Sequence, residues 1–454
     1  MPLRFRPLLI SCVGFSFAGM PMALVVETVA GRGPFLIIAA VGIVAAGILS
    51  VYTFFSTSFT LIKIKTLVWS CLFLGLGVAI MIGLIRTPAL SESALLSAHA
   101  AFISTSPVIF IVAAVSASVR DLRTKSRLIY WVIAGPALTP ALMLSYDLTT
   151  GGGQQYILSW ISGVRVLNTG LISSPNVNAL IGAFGAISSL WLILEMRIWY
   201  FVFCGLCGAF YLFISDSQGA FIATCITTLF IIAPRYLSVA VMRTLVFLWV
   251  FSAPLQILIY SSISGTQFGD LLTRAEAESL GVGTGRSVIW TGVFEEIHRS
   301  LPSYFFGTGY LSALNTTAVS AIGSILSSGD VGLILQRTYS LHNSALQTLF
   351  DTGIVGLFLL VSCTLRASEA SRRNHPRLNS LILFILLAGF NEAAGTVYST
   401  FTYIPFIALI GLQCVGRIDE VKTTTEIAST DSRKLRFGAG NLNFTRSKQM
   451  RQHK

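Results

Sequence analysis

The stretch 340–377, SLHNSALQTLFDTGIVGLFLLVSCTLRASEASRRNHPR, carries the decisive pattern of the chain. It opens on a polar corner with His342 and Asn343, runs through a mostly apolar segment at 344–365, and closes on a basic cluster at Arg366, Arg372, Arg373 and Arg377. About 20 apolar residues in helical form cross a hydrocarbon core, because in lipid every backbone polar group must be satisfied inside the segment. A polar approach, one apolar crossing and a basic exit are the signs of a membrane helix with its basic end facing the cytoplasm.

The whole chain repeats that signature. Of 454 residues, 54% are hydrophobic and only 11% charged, and the mean hydropathy is +0.76. These values exclude a string of soluble domains and give the fold class as an all-α polytopic membrane protein. Twelve spans are expected, at 8–27, 34–54, 67–85, 100–118, 128–145, 176–194, 198–214, 219–233, 244–261, 344–365, 379–391 and 397–415. The basic residues set the orientation. With both termini cytoplasmic, only Arg32, Arg86, Arg165, Arg274, Arg286, Arg299 and Arg337 fall outside, and the other 24 of 31 Lys and Arg fall inside. The net charge of +12 therefore reports membrane orientation rather than a nucleic-acid partner.

This topology makes 1–415 a membrane domain with two long outer loops, 146–175 and 262–341, followed by a basic cytoplasmic tail at 416–454 that is expected to be disordered. Residues 318–335, AVSAIGSILSSGDVGLIL, are read as an interfacial or re-entrant piece of the second loop rather than a thirteenth span. The N-terminal MPLRFRP and its apolar run read as an uncleaved first span. All seven cysteines fall within apolar runs, and the CGLC at 204–207 reads as small-residue helix packing.

Carriers of ions or protons place ionisable groups deep in their spans, and these spans are nearly bare of them. The unusual polar groups collect outside. GRSVIWTGVFEEIHRS, 285–300, spaces Ile289, Trp290, Val293, Phe294 and Ile297 along one helical face, so an amphipathic helix lying across the outer surface is expected, with Arg286 in its first turn. LPSYFFGTGY, 301–310, reads as a turn with aromatic anchors. Arg165 lies in the first outer loop and His342 at the mouth of the tenth span. Two guanidinium forks can bind a diphosphate without a metal, and an imidazole can take a proton near neutral pH. Arg299 and Arg337 are read as loop or head-group contacts. Asn343 is either a helix cap or a site partner. Asp351, nine residues after His342, faces the other side of a continuous helix and is expected to pack or hydrogen-bond with another span.

GRSVIW, FGTGY and HNSALQTLFDTGIVG together resemble the conserved region of the O-antigen ligase and O-antigen polymerase family. RVLNTGLISSPNVNA, 165–179, looks like that family's arginine and Pro-Asn segment, and SDSQGA, 215–220, is similar to its Ser-Arg-Gly segment with Gln218 where arginine is common. The likeness covers about 160–360 by motif and the whole chain by topology. It implies a metal-independent inverting glycosyltransferase without a cofactor in the bacterial inner membrane. Such an enzyme moves a glycan from undecaprenyl diphosphate to an acceptor at the periplasmic face. Arg165 and Arg286 would contact the diphosphate and His342 would activate the acceptor hydroxyl, with Asn343 and Arg337 as possible acceptor contacts or supports. The acceptor is lipid A-core in a ligase and a growing lipid-linked polysaccharide in a polymerase. A reading from another class is a flippase or exporter of lipid-linked glycans.

Overall fold

The computed structural model describes residues 5–56, 64–86, 101–103, 105–112, 122–150, 175–215, 217–263, 286–309, 341–392, 394–396 and 399–414. These are almost wholly helical, with no sheet beyond one isolated bridge between Ala394 and Ser399. The helices are α1 Phe5–Ala30, α2 Gly33–Ser56, α3 Ile64–Ile85, α4 Leu122–Thr150, α5 Pro175–Met196, α6 Phe201–Ile214 and α7 Gln218–Ile232. They continue as α8 Val239–Val250, α9 Ser252–Ile263, α10 Arg286–His298, α11 Leu301–Phe306, α12 Ser344–Asn374, α13 Leu378–Ala388 and α14 Thr400–Cys414. A further apolar helical stretch runs over Ala101–Val112.

Among the described residues, five helices are long and apolar enough to cross a membrane, and six if the bent pair α8 and α9 counts as one span. The other expected spans are occupied by shorter apolar helices, including Phe201–Ile214, Gln218–Ile232, Leu378–Ala388 and Phe401–Cys414. The protein is thus a polytopic, all-helical membrane protein. The 318–335 piece and the tail 416–454 lie outside the described residues.

Apolar side chains gain little by leaving lipid for protein, so close approach of backbones must hold such a bundle. The sequence supplies small residues where that happens. A Cβ on Gly182 of α5 would lie 2.7 Å from the carbonyl oxygen of Gly208 on α6, and one on Gly208 would lie 2.6 Å from that of Gly182. Cys204 and Cys207 sit buried in the same helix as free thiols, as expected of a packing motif. At the centre, Phe184 of α5 stacks on Phe384 of α13 at 5.5 Å and meets Phe401 of α14 edge-on at 6.2 Å. The α13–α14 hairpin is buried along nearly its whole length.

Several expected spans change shape. The 244–261 run breaks after Val250, and α9 leaves α8 at 64°. The 128–145 span extends to Thr150, which brings Asp147 inside the bundle, buried and accepting a hydrogen bond from Tyr211. The 344–365 span lengthens to Asn374 but is broken at Gly353, whose φ of 69° and ψ of −173° are not helical.

That break explains both glycine motifs of the sequence. A residue out of helical conformation at 353 frees the Phe350 carbonyl from the intrahelical ladder, and Thr308 donates to it from its backbone N at 2.7 Å and from its Oγ1 at 3.0 Å. Gly307 lies against the Asp351 carbonyl, and Gly353 lies against the Phe305 carbonyl, where a Cβ would come within 2.2 Å. Both glycines have positive φ. The FGTGY turn and the broken α12 therefore interlock backbone to backbone.

Candidate functional site

The corner before α12 is held by hydrogen bonds from several elements. Asn343 is its N-cap, accepting from the Leu346 N–H at 3.0 Å. Its Nδ2 donates to Ser252 Oγ at 2.7 Å and to the Phe390 carbonyl at 3.1 Å. Both ends of this buried amide are used, so the cap also braces α9 and the loop after α13. Ser344 donates to the Gly389 carbonyl through its backbone N at 2.9 Å and accepts from Trp249 Nε1 at 2.7 Å. Leu341 N donates to Gln347 Oε1 at 2.9 Å, and Gln347 Nε2 donates to Asp351 Oδ1 at 3.0 Å. Asp351 is buried and bonds within its own helix, while its backbone packs on Gly83 of α3.

His342 stands in the middle of these ties with φ 50°, in the left-handed region that costs a residue with a side chain on the order of 1–3 kcal/mol. The surrounding bonds over-determine the corner and hold it there. Its Nδ1 lies 3.1 Å from Glu392 Oε2, and the carboxylate is the more buried partner, with 13% of its side chain exposed against 32% for the imidazole. Glu392 lies in the hydrogen-bonded turn that follows α13, its backbone N donating to the Ala388 carbonyl at 3.0 Å. A carboxylate at Nδ1 favours a proton on that nitrogen and makes Nε2 the basic one.

The amphipathic helix is present as α10, but its apolar face is covered by protein rather than laid on lipid. Trp290, Val293 and Ile297 are buried against Ala253 of α9 and against Leu341, Leu346 and Phe350. The Trp290 indole donates to the Leu341 carbonyl at 2.7 Å. This bond ties the residue one turn after Arg286 to the residue just before His342. Arg286 opens α10, but its side chain is outside the described residues, as are Arg165 and Arg337. The start of α7, at the end of the SDSQGA motif, also packs here. A Cβ on Gly219, beside Gln218 at the start of α7, would lie 3.8 Å from Asn391, the neighbour of Glu392.

The arrangement is an imidazole oriented by a carboxylate, next to the start of a helix that carries an arginine. It can accept a proton from a bound hydroxyl. Glu392 is the residue that sequence reasoning did not pair with His342. Its one sequence signal was a carboxylate near the same end of a span, and fifty positions separate the partners. No protein-family model matches the chain, and no curated protein is significantly similar to it.

Proposed function

We propose that the protein is a membrane glycosyltransferase that moves a glycan from a polyprenyl diphosphate to an acceptor hydroxyl at the outer face of the membrane. The observation that carries this reading is the Trp290 to Leu341 hydrogen bond, which brings the Arg286 and His342 motifs to one corner. The motif resemblance names the reaction, and this convergence supports it.

In this reading His342 Nε2 takes the proton of the acceptor hydroxyl, whose oxygen attacks the anomeric carbon. The bond from that carbon to the diphosphate oxygen breaks, and the configuration inverts. Arg286 and Arg165 neutralise the departing diphosphate, which is already a good leaving group and needs no acid. Glu392 fixes the imidazole tautomer and is a positioning residue. Lipid A-core and a second lipid-diphosphate glycan are both chemically competent acceptors. The first makes the protein a ligase and the second a polymerase.

Purified protein in lipid, given a polyprenyl-diphosphate glycan and each acceptor in turn, tests the proposal by product size. His342→Ala is expected to lose about 10²–10⁴-fold in turnover, the usual contribution of a positioned general base. Arg286→Ala is expected to be comparably impaired. Normal turnover in both variants would rule the assignment out.

A further inference from the structure

We infer that the buried Asp351 is a positioning residue for His342. Through the Gln347 amide it fixes the peptide groups around Leu341, and so holds the imidazole in its left-handed corner beside Glu392.

Asp351 is a titratable group that the proposed reaction does not use. It is buried, and among the described residues its carboxyl group takes one hydrogen bond, from Gln347 Nε2 at 3.0 Å. Burying a carboxyl group is costly, and a leucine would fill nearly the same volume without that cost. What the carboxyl group supplies is an acceptor one helical turn beyond an amide. Gln347 is itself buried, and its Oε1 accepts from the Leu341 N–H at 2.9 Å. A backbone N–H can only donate, so the amide oxygen must face Leu341 and the amide nitrogen must face Asp351. In that orientation both ends of the amide are used. Turned over, the amide would set donor against donor at Leu341 and acceptor against carboxylate at Asp351.

The other polar group of Leu341, its carbonyl, accepts from the Trp290 indole at 2.7 Å. The peptide planes on both sides of Leu341 are thereby set before the chain reaches His342. The Asn343 cap and the bond from Ser344 N to the Gly389 carbonyl set the backbone that follows. The φ of 50° at His342 joins these two fixed halves. Within 341–347 every residue except His342 is buried. The buried groups thus hold a corner that presents one partly exposed side chain, the imidazole.

Asp351 is held in its turn. Its carbonyl oxygen lies against Gly83 of α3 and Gly307 of the turn after α11, where a Cβ would come within 2.5 Å and 2.4 Å. The preceding carbonyl, of Phe350, accepts from Thr308. The FGTGY turn is therefore connected to His342 by a line of contacts that runs through 350–351, Gln347 and Leu341. That His342 is catalytic rests on the proposed transferase. The bonds behind it do not, so the test reads the imidazole and not turnover.

Full-length protein carrying isotope-labelled histidine is held in lipid nanodiscs, and the ring nitrogens of His342 are observed by nitrogen NMR at alkaline pH. Their signals are assigned by their loss in His342→Gln. The Glu392 contact is expected to give the wild type one tautomer, protonated at Nδ1. Asp351→Leu removes the acceptor and is expected to shift the ring towards the Nε2-protonated tautomer that a free neutral imidazole prefers. Asp351→Asn keeps an acceptor oxygen and is expected to show the wild-type spectrum. Gln347→Met breaks the same line, so adding Asp351→Leu to it is expected to change nothing further. A wild-type spectrum in folded Asp351→Leu protein would overturn the inference, and so would an Asp351→Leu effect undiminished in the Gln347→Met background. Should Asp351→Leu fail to fold, Asp351→Ala takes its place in the same comparison. The expected spectra in a protein without transferase turnover would remove the proposed reaction and still support the positioning role.

Discussion

At the scale of single residues, the informative feature is a histidine held in a backbone conformation that it does not prefer. His342 is fixed by bonds on every side: Trp290 and Gln347 through Leu341, then Asn343 and Ser344 on the next two positions. Glu392 orients its ring, and this makes a prediction at the same scale. In the transferase assay, Glu392→Ala is expected to lower kcat by about 10²–10³-fold with the donor KM little changed, as for loss of a tautomer-fixing carboxylate. Glu392→Gln keeps an acceptor for Nδ1–H and is expected to fall between the two. If Glu392→Ala kept wild-type kcat, the contact with His342 would be structural only. The histidine itself was legible in the sequence because it sits at the mouth of a span. Its partner was not, since no local pattern links positions fifty residues apart, and only the packing of α13 beside the start of α12 brings them together.

At the scale of elements, the interlock of Gly307 with the Gly353 break decides how the α11 turn sits on α12. Gly353→Ala would put a methyl group into the Phe305 carbonyl and a side chain at positive φ. A destabilisation of at least about 1–3 kcal/mol is expected, read as a lower unfolding midpoint in detergent, together with loss of activity because the corner at 341–344 would shift. An unchanged midpoint would show that the break tolerates a side chain. The amphipathic stripe of α10 was readable because Trp290, Val293 and Ile297 recur at helical spacing. What covers that stripe was not readable, because the same pattern serves a lipid surface and a protein groove equally well. Asp351 was expected to pack or hydrogen-bond with another span. In the structure its carboxylate accepts from Gln347 of its own helix, its backbone packs on Gly83 of α3, and the break at Gly353 lies beyond both His342 and Asp351.

At the scale of the whole molecule, the basic clusters predict that the end holding Arg243, Arg366 and Arg377 faces the cytoplasm. Cysteines at Thr150 and at Arg372, in cells, are expected to react with an impermeant thiol reagent from opposite sides of the membrane. Reaction of Arg372→Cys from outside would invert the topology and remove the site from the outer face. Hydropathy alone marks twelve apolar segments, and it does so because a helix in lipid must be apolar at every exposed position. It assigned each segment a full crossing, whereas α6, α7 and α13 are shorter than the bilayer is thick. A buried half-length helix and a full span have the same apolar composition, and only their neighbours distinguish them.

The sequence by itself determined the class of the protein, the positions of its apolar helices and the expected orientation from its charges, since each depends on local composition. It also singled out His342 and the helix that Arg286 opens. Tertiary structure alone decided the break at Gly353, the pairing of His342 with Glu392 and the cover over α10. These depend on which backbones approach each other within a few ångströms, and that distance is set by packing between residues far apart in the chain.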